Sequence, residues 1–408
     1  MREITVENCI RNISLVKNLV GEDWLIQNLK EIEDYKPPKQ PRRLSFIDYP
    51  EKYHPLAYLM YQVDRQLKSC AEKKHFKPTE QIVKLARLGD NLLVLQRKNV
   101  KGLNRKIQDL TSLDKALLDK TTYEIEVASA YTRQEYPIEF VETKPREEIK
   151  TPDLFVNFQN GVEIECKKKD RRSNRDIRNN ENWRLIIRKS SGMMEHYKVN
   201  YGIAIKTEQD PTKEDIKFIL MQLDTLIQNR KEGFYGFQEK GIGITLQIIS
   251  NRDEEIETGG FQVGTNEESD YATQAMEVKK DEKGKVFIRN PRFFGFKSAV
   301  IPERINSVID SIKDARRQLS SKCPALVYVH LNGIDRKITK IDFKRLDSLV
   351  TDLLKQNSSI TGVVISSEFF SKDELGFTYS HKAKYIKNAD AKHPLPKEFK
   401  VVGESQSI

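Results

Sequence analysis

The sequence predicts an α/β protein, and three observations carry the prediction. Apolar residues at helical spacing alternate along most of the chain with short apolar or alternating runs of strand length. Residues 151–169, TPDLFVNFQNGVEIECKKK, read as two short β runs around a Gln-Asn-Gly turn. From about residue 113 to 208 the order is helix, three strands, helix, strand. The expected organisation is a helical N-terminal region at 1–110, a core at 111–210 and a further α/β region, an extension of the core sheet or a second lobe, at 211–408.

Within 1–35, Leu15, Leu19, Leu25 and Leu29 fall near helical spacing. KPPKQPRR at 36–43 cannot join a packed helix and reads as a linker or basic arm. Two further stripes follow, Leu56, Leu59, Met60, Val63 and Leu67, then Ile82, Leu85 and Leu88. The basic run at 97–106 reads as a solvated surface connection in preference to a phosphate contact. A helix over Leu113 to Glu135 sets Tyr123, Val127, Ala128 and Tyr131 on its apolar face with Glu124 among them, while Glu126 falls opposite with Ser129 and Arg133. A carboxylate on a buried stripe is costly unless something pairs with it, so Glu124 is either a satisfied salt bridge or a functional group.

A strand at Ile138 to Glu142 precedes the hairpin, and a basic loop follows it. The next helix carries Trp183, Ile186, Ile187, Met193, Met194 and Tyr197 near one face, with Arg184 and Arg188 outside the stripe, and leads to a buried strand at Gly202 to Lys206. Thr212 and Asp215 resemble a helix-start box ahead of Ile216, Ile219, Leu220, Leu223 and Ile227. Strands are expected at 242–249, 286–288, 325–331 and 361–366, and helices near 301–320 and 342–356. Residues 251–284, acidic and nearly aperiodic, read as a mobile insertion.

The hairpin sorts its residues by face. Val162, Ile164 and Cys166 point one way and Glu163, Glu165 and Lys167 the other. A three-residue loop at Gln159-Asn160-Gly161 pairs Phe158 with Val162, Val156 with Ile164 and Leu154 with Cys166, all apolar, and sets Phe155 beside Glu165 and Asp153 opposite Lys167. A two-residue Asn-Gly turn would set apolar residues against carboxylates, so the longer loop is expected.

Pro152-Asp153 followed by Glu165-Cys166-Lys167 resembles the PD-(D/E)xK nuclease superfamily, and the element order extends the likeness across about 113–208. The resemblance implies a restriction-endonuclease-like αβββαβ core with a mixed sheet, and Mg²⁺-dependent hydrolysis of nucleic acid, DNA ahead of RNA, in a setting such as restriction or antiphage defence. It implies that Asp153 and Glu165 hold Mg²⁺, with Mn²⁺ as a substitute, because the ligands are hard oxygens without an accompanying His or Cys. Lys167 would orient or deprotonate the attacking water or stabilise the transition state. A glutamate on the opening helix, here Glu124, would bind a second ion or shape the first ion's water shell. Glu163, two residues from Glu165 on the same face, stands in reserve. Lys168, Lys169, Arg171, Arg172, Arg184 and Arg188 would meet the nucleic acid.

The competing readings are an edge strand whose charged outer face deters pairing and a catalytically inactive nucleic-acid binder on the same fold. The whole chain, with 70 Lys and Arg against 60 Asp and Glu, carries a formal charge of +10 and favours a polyanionic partner. Its four cysteines show no CxxC spacing and read as reduced and intracellular. No apolar run nears the roughly 18 residues that span a bilayer, and MREITVENCIRN lacks a signal peptide's apolar stretch, so a cytoplasmic protein without a membrane partner is expected, with homo-oligomerisation left open. Six histidines form no HxxxH or HxH pair, and GxxxxGK[ST], GxGxxG after a strand and GxSxG are all missing. These absences argue against a zinc hydrolase, a P-loop ATPase, a dinucleotide enzyme and an α/β-hydrolase.

Overall fold

The computed structural model describes residues 6–33, 53–72, 79–112, 114–141, 151–169, 174–257, 271–281, 285–300, 303–332, 336–373 and 376–402. The linker or arm expected at 36–43 lies outside them. In chain order the elements are α1 (Val6–Val20), α2 (Glu22–Glu33), α3 (Pro55–Glu72), α4 (Glu80–Arg97), α5 (Leu103–Asp109), α6 (Lys115–Arg133), β1 (Ile138–Phe140), β2 (Leu154–Val156) and β3 (Val162–Lys169). Then come α7 (Asn174–His196), β4 (Val199–Thr207), α8 (Lys213–Gln228), β5 (Gly233–Phe237), β6 (Ile242–Asn251), β7 (Glu255–Glu257), β8 (Tyr271–Lys280) and β9 (Val286–Ser298). The chain closes with α9 (Glu303–Arg316), β10 (Ala325–Asn332), α10 (Arg336–Lys355), β11 (Gly362–Asp373) and β12 (Gly376–Lys387).

The α/β class is correct, but the chain divides differently from the expected three regions. One unit comprises 1–170, 309–333 and 347–408, and the other 171–308 and 334–346. The first holds a sheet in the order β1-β2-β3-β10-β11-β12. β1, β2 and β3 form an antiparallel meander, β10 runs parallel to both β3 and β11, and β12 returns antiparallel. The N-terminal helices are not a domain apart: Val16 of α1, Leu85 and Leu92 of α4 and Tyr131 of α6 share one core with Leu154, Ile164, Cys166 and Tyr328 of the sheet. That shared core explains why Ser129, expected on the outer side of α6, is fully buried.

In this helical layer α4 meets α1 at Gly89. A Cβ there would stand 2.1 Å from the Asn12 carbonyl oxygen, so α4 can meet α1 only where no side chain intervenes. Gly89→Ala is expected to cost about 3 kcal/mol through overpacking, read as a lower urea midpoint with unchanged slope. An unaltered midpoint would mean that α1 does not lie against α4 at this point.

The sequence order places the helix bearing Trp183 and the strand at 202–206 in one core with the hairpin. Instead α7 and β4 belong to the second unit, whose sheet runs β5-β6-β4-β9-β7, with β8 also paired to β9. There Trp183 stacks on Phe296 with ring centroids 4.4 Å apart, inside a core that includes Ile203, Ile205 and Ile219. In the first unit β10 takes the position parallel to β3, pairing Val327 with Glu165 and Val329 with Lys167. Both segments are short and apolar, so local periodicity cannot tell which joins which sheet.

The predicted insertion at 251–284 contains strands. β8 pairs with β9 over most of its length and β7 pairs with it as well. Described side chains of this ribbon, such as Glu255, Lys279 and Val278, are exposed, and a strand with no buried face carries no alternation for a sequence reading to find. Residues 258–270, the middle of that segment, lie outside the described ones. Elsewhere the helix-start box is real: Thr212 and Asp215 bond each other's backbone N–H at the start of α8.

Candidate functional site

The site is assembled at the hairpin, and its register differs from the expected one. Leu154 pairs with Ile164, Phe155 with Glu163 and Val156 with Val162, leaving 157–161 as the connection. Phe158 is drawn out of the ladder into an aromatic group, 5.3 Å from Tyr136 and 5.7 Å from Phe399 between centroids. Gly161 ends the loop at φ 83, and a Cβ there would come within 2.2 Å of the Phe155 ring. The apolar pairing survives, because a shift of two residues preserves the faces. Its consequence falls on Asp153: one step beyond the last paired residues, the register sets it across from Glu165, not Lys167.

Asp153 is buried at the end of β2 and links the other groups. Its Oδ2 accepts a hydrogen bond of 2.9 Å from the Cys166 backbone N–H, and its Oδ1 lies 2.9 Å from Lys120 Nζ. The same ammonium stands 3.4 Å from Glu124 Oε1, and Lys106 Nζ is 2.5 Å from Glu124 Oε2. Glu165 is fully buried; Lys167 Nζ donates to its Oε1 at 2.6 Å and to Gln318 Oε1 at 2.8 Å. Glu165 Oε2 has no hydrogen-bond partner among the described residues. Cys166 turns its thiol into the core, as expected.

The electrostatics follow from burial. Desolvation, then the negative charge of Asp153, raise Glu165 to about 8, with Lys167 opposing them. The same two causes raise Glu124 to about 7 against Lys106 and Lys120. Burial works to lower the pKa of Lys120, but Asp153 and Glu124 outweigh it and hold the ammonium firmly protonated. Lys169 is pushed down by burial and by Lys167.

Of the predicted site residues, the structure therefore brings Asp153, Glu124, Glu165 and Lys167 into one electrostatic group. Glu163 is buried beside Phe155 on the neighbouring strand, but its Oε2 accepts from the Ser320 backbone N–H at 2.7 Å, so it has a structural partner. Glu126, set aside from the site, pairs with Arg87 at 2.6 Å, and Arg87 also reaches Glu368 at 2.7 Å. Lys168 is half-buried, 3.4 Å from Asp119, and Lys169 is half-buried at the end of β3. Arg184 and Arg188 are exposed on α7 of the second unit, and Arg171 and Arg172 lie outside the described residues.

Sequence reasoning missed Lys120, Lys106 and Gln318. Lys120 had a signal, four residues before Glu124 on the predicted helix, the spacing of an intrahelical ion pair. Lys106 lay in the basic run read as a surface connection. Gln318 had no signal, because its place depends on β10 joining β3.

Among the described residues no three His, Cys, Asp or Glu side chains converge as a metal cluster; lysine ammoniums stand between the carboxylates instead. The donor set fits a hard divalent cation all the same. It offers only carboxylate oxygens, and one of them, Glu165 Oε2, is buried without a hydrogen-bond partner among the described residues. Asp153 and Glu165, facing each other across the hairpin, are residues that could hold such an ion. No helix among the described residues is long and apolar enough to cross a membrane. No protein-family model and no curated protein sequence matches the chain.

Proposed function

We propose that the protein is a Mg²⁺-dependent nuclease that hydrolyses phosphodiester bonds, with DNA as the favoured substrate and internal cleavage as the favoured mode. The observation that carries this reading is the fully buried Glu165, with one oxygen on Lys167 and the other unpartnered, across the hairpin from Asp153. A buried carboxylate so incompletely paired is expensive as structure and useful as a cation ligand. The β1-β2-β3 meander with β10 parallel to β3 agrees with the αβββαβ order of the resembled superfamily if α9 and β10 supply the closing helix and strand, with 171–302 intervening before them.

Asp153 and Glu165 would hold the ion, and Mg²⁺ bound there supplies Lewis-acid stabilisation of the phosphate's developing charge. The rest falls to this chain's own groups. Lys167, fixed between Glu165 and Gln318, is positioned to orient a water and to face the charge that builds on the phosphate oxygens. Lys120, partly exposed while paired with Asp153, offers a second positive charge toward an incoming phosphate. Asp153 itself is fixed by the Cys166 N–H, so its orientation does not depend on the ion.

A second reading, a catalytically inactive nucleic-acid binder, is favoured by one feature: Lys120 already pairs with both Asp153 and Glu124. Incubation with plasmid, linear DNA, single-stranded DNA and RNA in Mg²⁺ or Mn²⁺ separates the two. The nuclease reading expects cleavage of at least one; no cleavage of any, with binding intact, leaves the binder.

Both readings expect affinity for nucleic acid to fall steeply with salt, because lysines and arginines on the phosphates release counterions. Between 50 and 200 mM salt an anisotropy titration should lose roughly tenfold or more. An affinity that holds constant over that range would exclude a phosphate-dominated interface.

A further inference from the structure

The second unit carries a groove of about 950 Å³ that has no part in the proposed cleavage chemistry. It is built where β5 pairs with β6. Gly236 and Gly243 are cross-strand partners, and Phe234, two residues before Gly236 on the same face, lays its ring over that bare pair. A Cβ on Gly243 would stand 2.8 Å from Phe234 Cε2, and one on Gly236 would stand 3.2 Å from Cε1. The ring is thus seated on backbone, yet it remains 67% exposed. Phe237 forms a second wall, edge-to-face with Phe218 at 5.1 Å and 88°. Lys206, Lys240 and Lys297 also line the groove.

Covering a glycine pair explains where Phe234 sits, since an aromatic ring commonly shields glycines in a sheet. It does not explain why so large an apolar surface stays in water on β5, with lysines ranged around it. An exposed aromatic face beside clustered cations complements a nucleotide, whose base stacks on the ring and whose phosphate meets the ammoniums. Glu208 and Glu239, the carboxylates on the same walls, provide acceptors for exocyclic amines. Thr207, also lining it, has a hydroxyl with no hydrogen-bond partner among the described residues.

We propose that this groove binds one nucleotide of a single-stranded nucleic acid, with the base stacked on Phe234 and the backbone phosphate held by Lys206, Lys240 and Lys297. The proposal draws on the nuclease reading for the class of polymer and is independent of the chemistry at Asp153.

The test uses the full chain carrying Asp153→Asn, in EDTA, so that binding is measured without cleavage. A labelled single-stranded oligonucleotide is titrated by anisotropy against this parent and against its Phe234→Ala and Phe234→Trp derivatives. Phe234→Ala should weaken binding roughly 5- to 150-fold, the range for losing one stacked base, and the comparison is made below the melting temperature of every variant, because this substitution also uncovers Gly236 and Gly243. Phe234→Trp should bind at least as well as the parent, and its added emission should be quenched by the strand. An abasic strand should bind the parent weakly and be indifferent to Phe234→Ala. Equal affinity of parent and Phe234→Ala for the normal strand, or equal affinity of the parent for normal and abasic strands, would overturn the proposal. So would a free mononucleotide that displaces the strand at equal concentration, which would make the groove a free-nucleotide site. If the strand binds through Phe234 but the wild-type chain cuts nothing, the nuclease reading fails alone. If the wild-type chain cuts and Phe234→Ala binds normally, the groove proposal fails alone.

Discussion

Glu165→Gln is expected to stabilise the metal-free protein increasingly as pH rises from 5 to 9. Glu165 is held at about 8 in the folded protein, far above the ordinary 4.5 of the side chain. The folded state therefore binds this proton more tightly than the unfolded state, and stability falls as pH climbs between those two values. The contribution is fully present below pH 4.5 and is lost as pH passes 8. Glu124, raised to about 7, loses its share within the same window. Glutamine keeps the neutral form at every pH and leaves Lys167 with Gln318. The gain at pH 9 is on the order of a few kcal/mol, after allowing for the lost ion pair with Lys167. Urea midpoints at pH 5 and pH 9 measure it. Wild-type and variant curves that run parallel across the range would mean that Glu165 is not strained by burial, and the reason for assigning it a cation would disappear.

Lys167→Met is expected to reduce cleavage by roughly 10² to 10³, the effect of removing one preorganised group that faces developing charge. Binding of nucleic acid should change little, because the side chain is committed to Glu165 and Gln318 and is mostly buried. Lys167→Arg separates the roles open to this residue. Arginine keeps the positive charge but gives up no proton at accessible pH. A charge-stabilising Lys167 therefore predicts substantial activity in Lys167→Arg, and a proton-removing one predicts activity as low as in Lys167→Met. Single-turnover cleavage of a labelled duplex measures both. Cleavage by Lys167→Met at the wild-type rate would remove Lys167 from the mechanism.

The sequence was informative wherever a local pattern determines a physical outcome. Alternation along 162–167 separates core from carboxylate face whatever the turn, so Cys166 and Glu165 fall on their correct sides even though the predicted register is two residues out. Glu124 stood out because a charge on an apolar stripe has to be accounted for, and it is fully buried. What could not be read depends on contacts distant in sequence. Phe158 leaves the ladder for Phe399, far along the chain. β10, far along the chain, joins β3 in the sheet where 202–206 was expected to close the core, and Gln318, just before β10, reaches Lys167. The paired strands β7 and β8 bury too little on either face to leave a periodic trace. Asp153 accepts a structural hydrogen bond from the Cys166 N–H, so Glu165→Gln is a cleaner stability probe than Asp153→Asn.

Whether Asp153 and Glu165 hold a cation for phosphodiester cleavage is decided on supercoiled plasmid. Wild-type protein and Asp153→Asn are incubated side by side, each in Mg²⁺ and in EDTA. The prediction is nicking or linearisation by wild type in Mg²⁺ only, with Asp153→Asn at least roughly a thousandfold slower. Cleavage by wild type that persists in EDTA, or cleavage by Asp153→Asn at the wild-type rate, would contradict it.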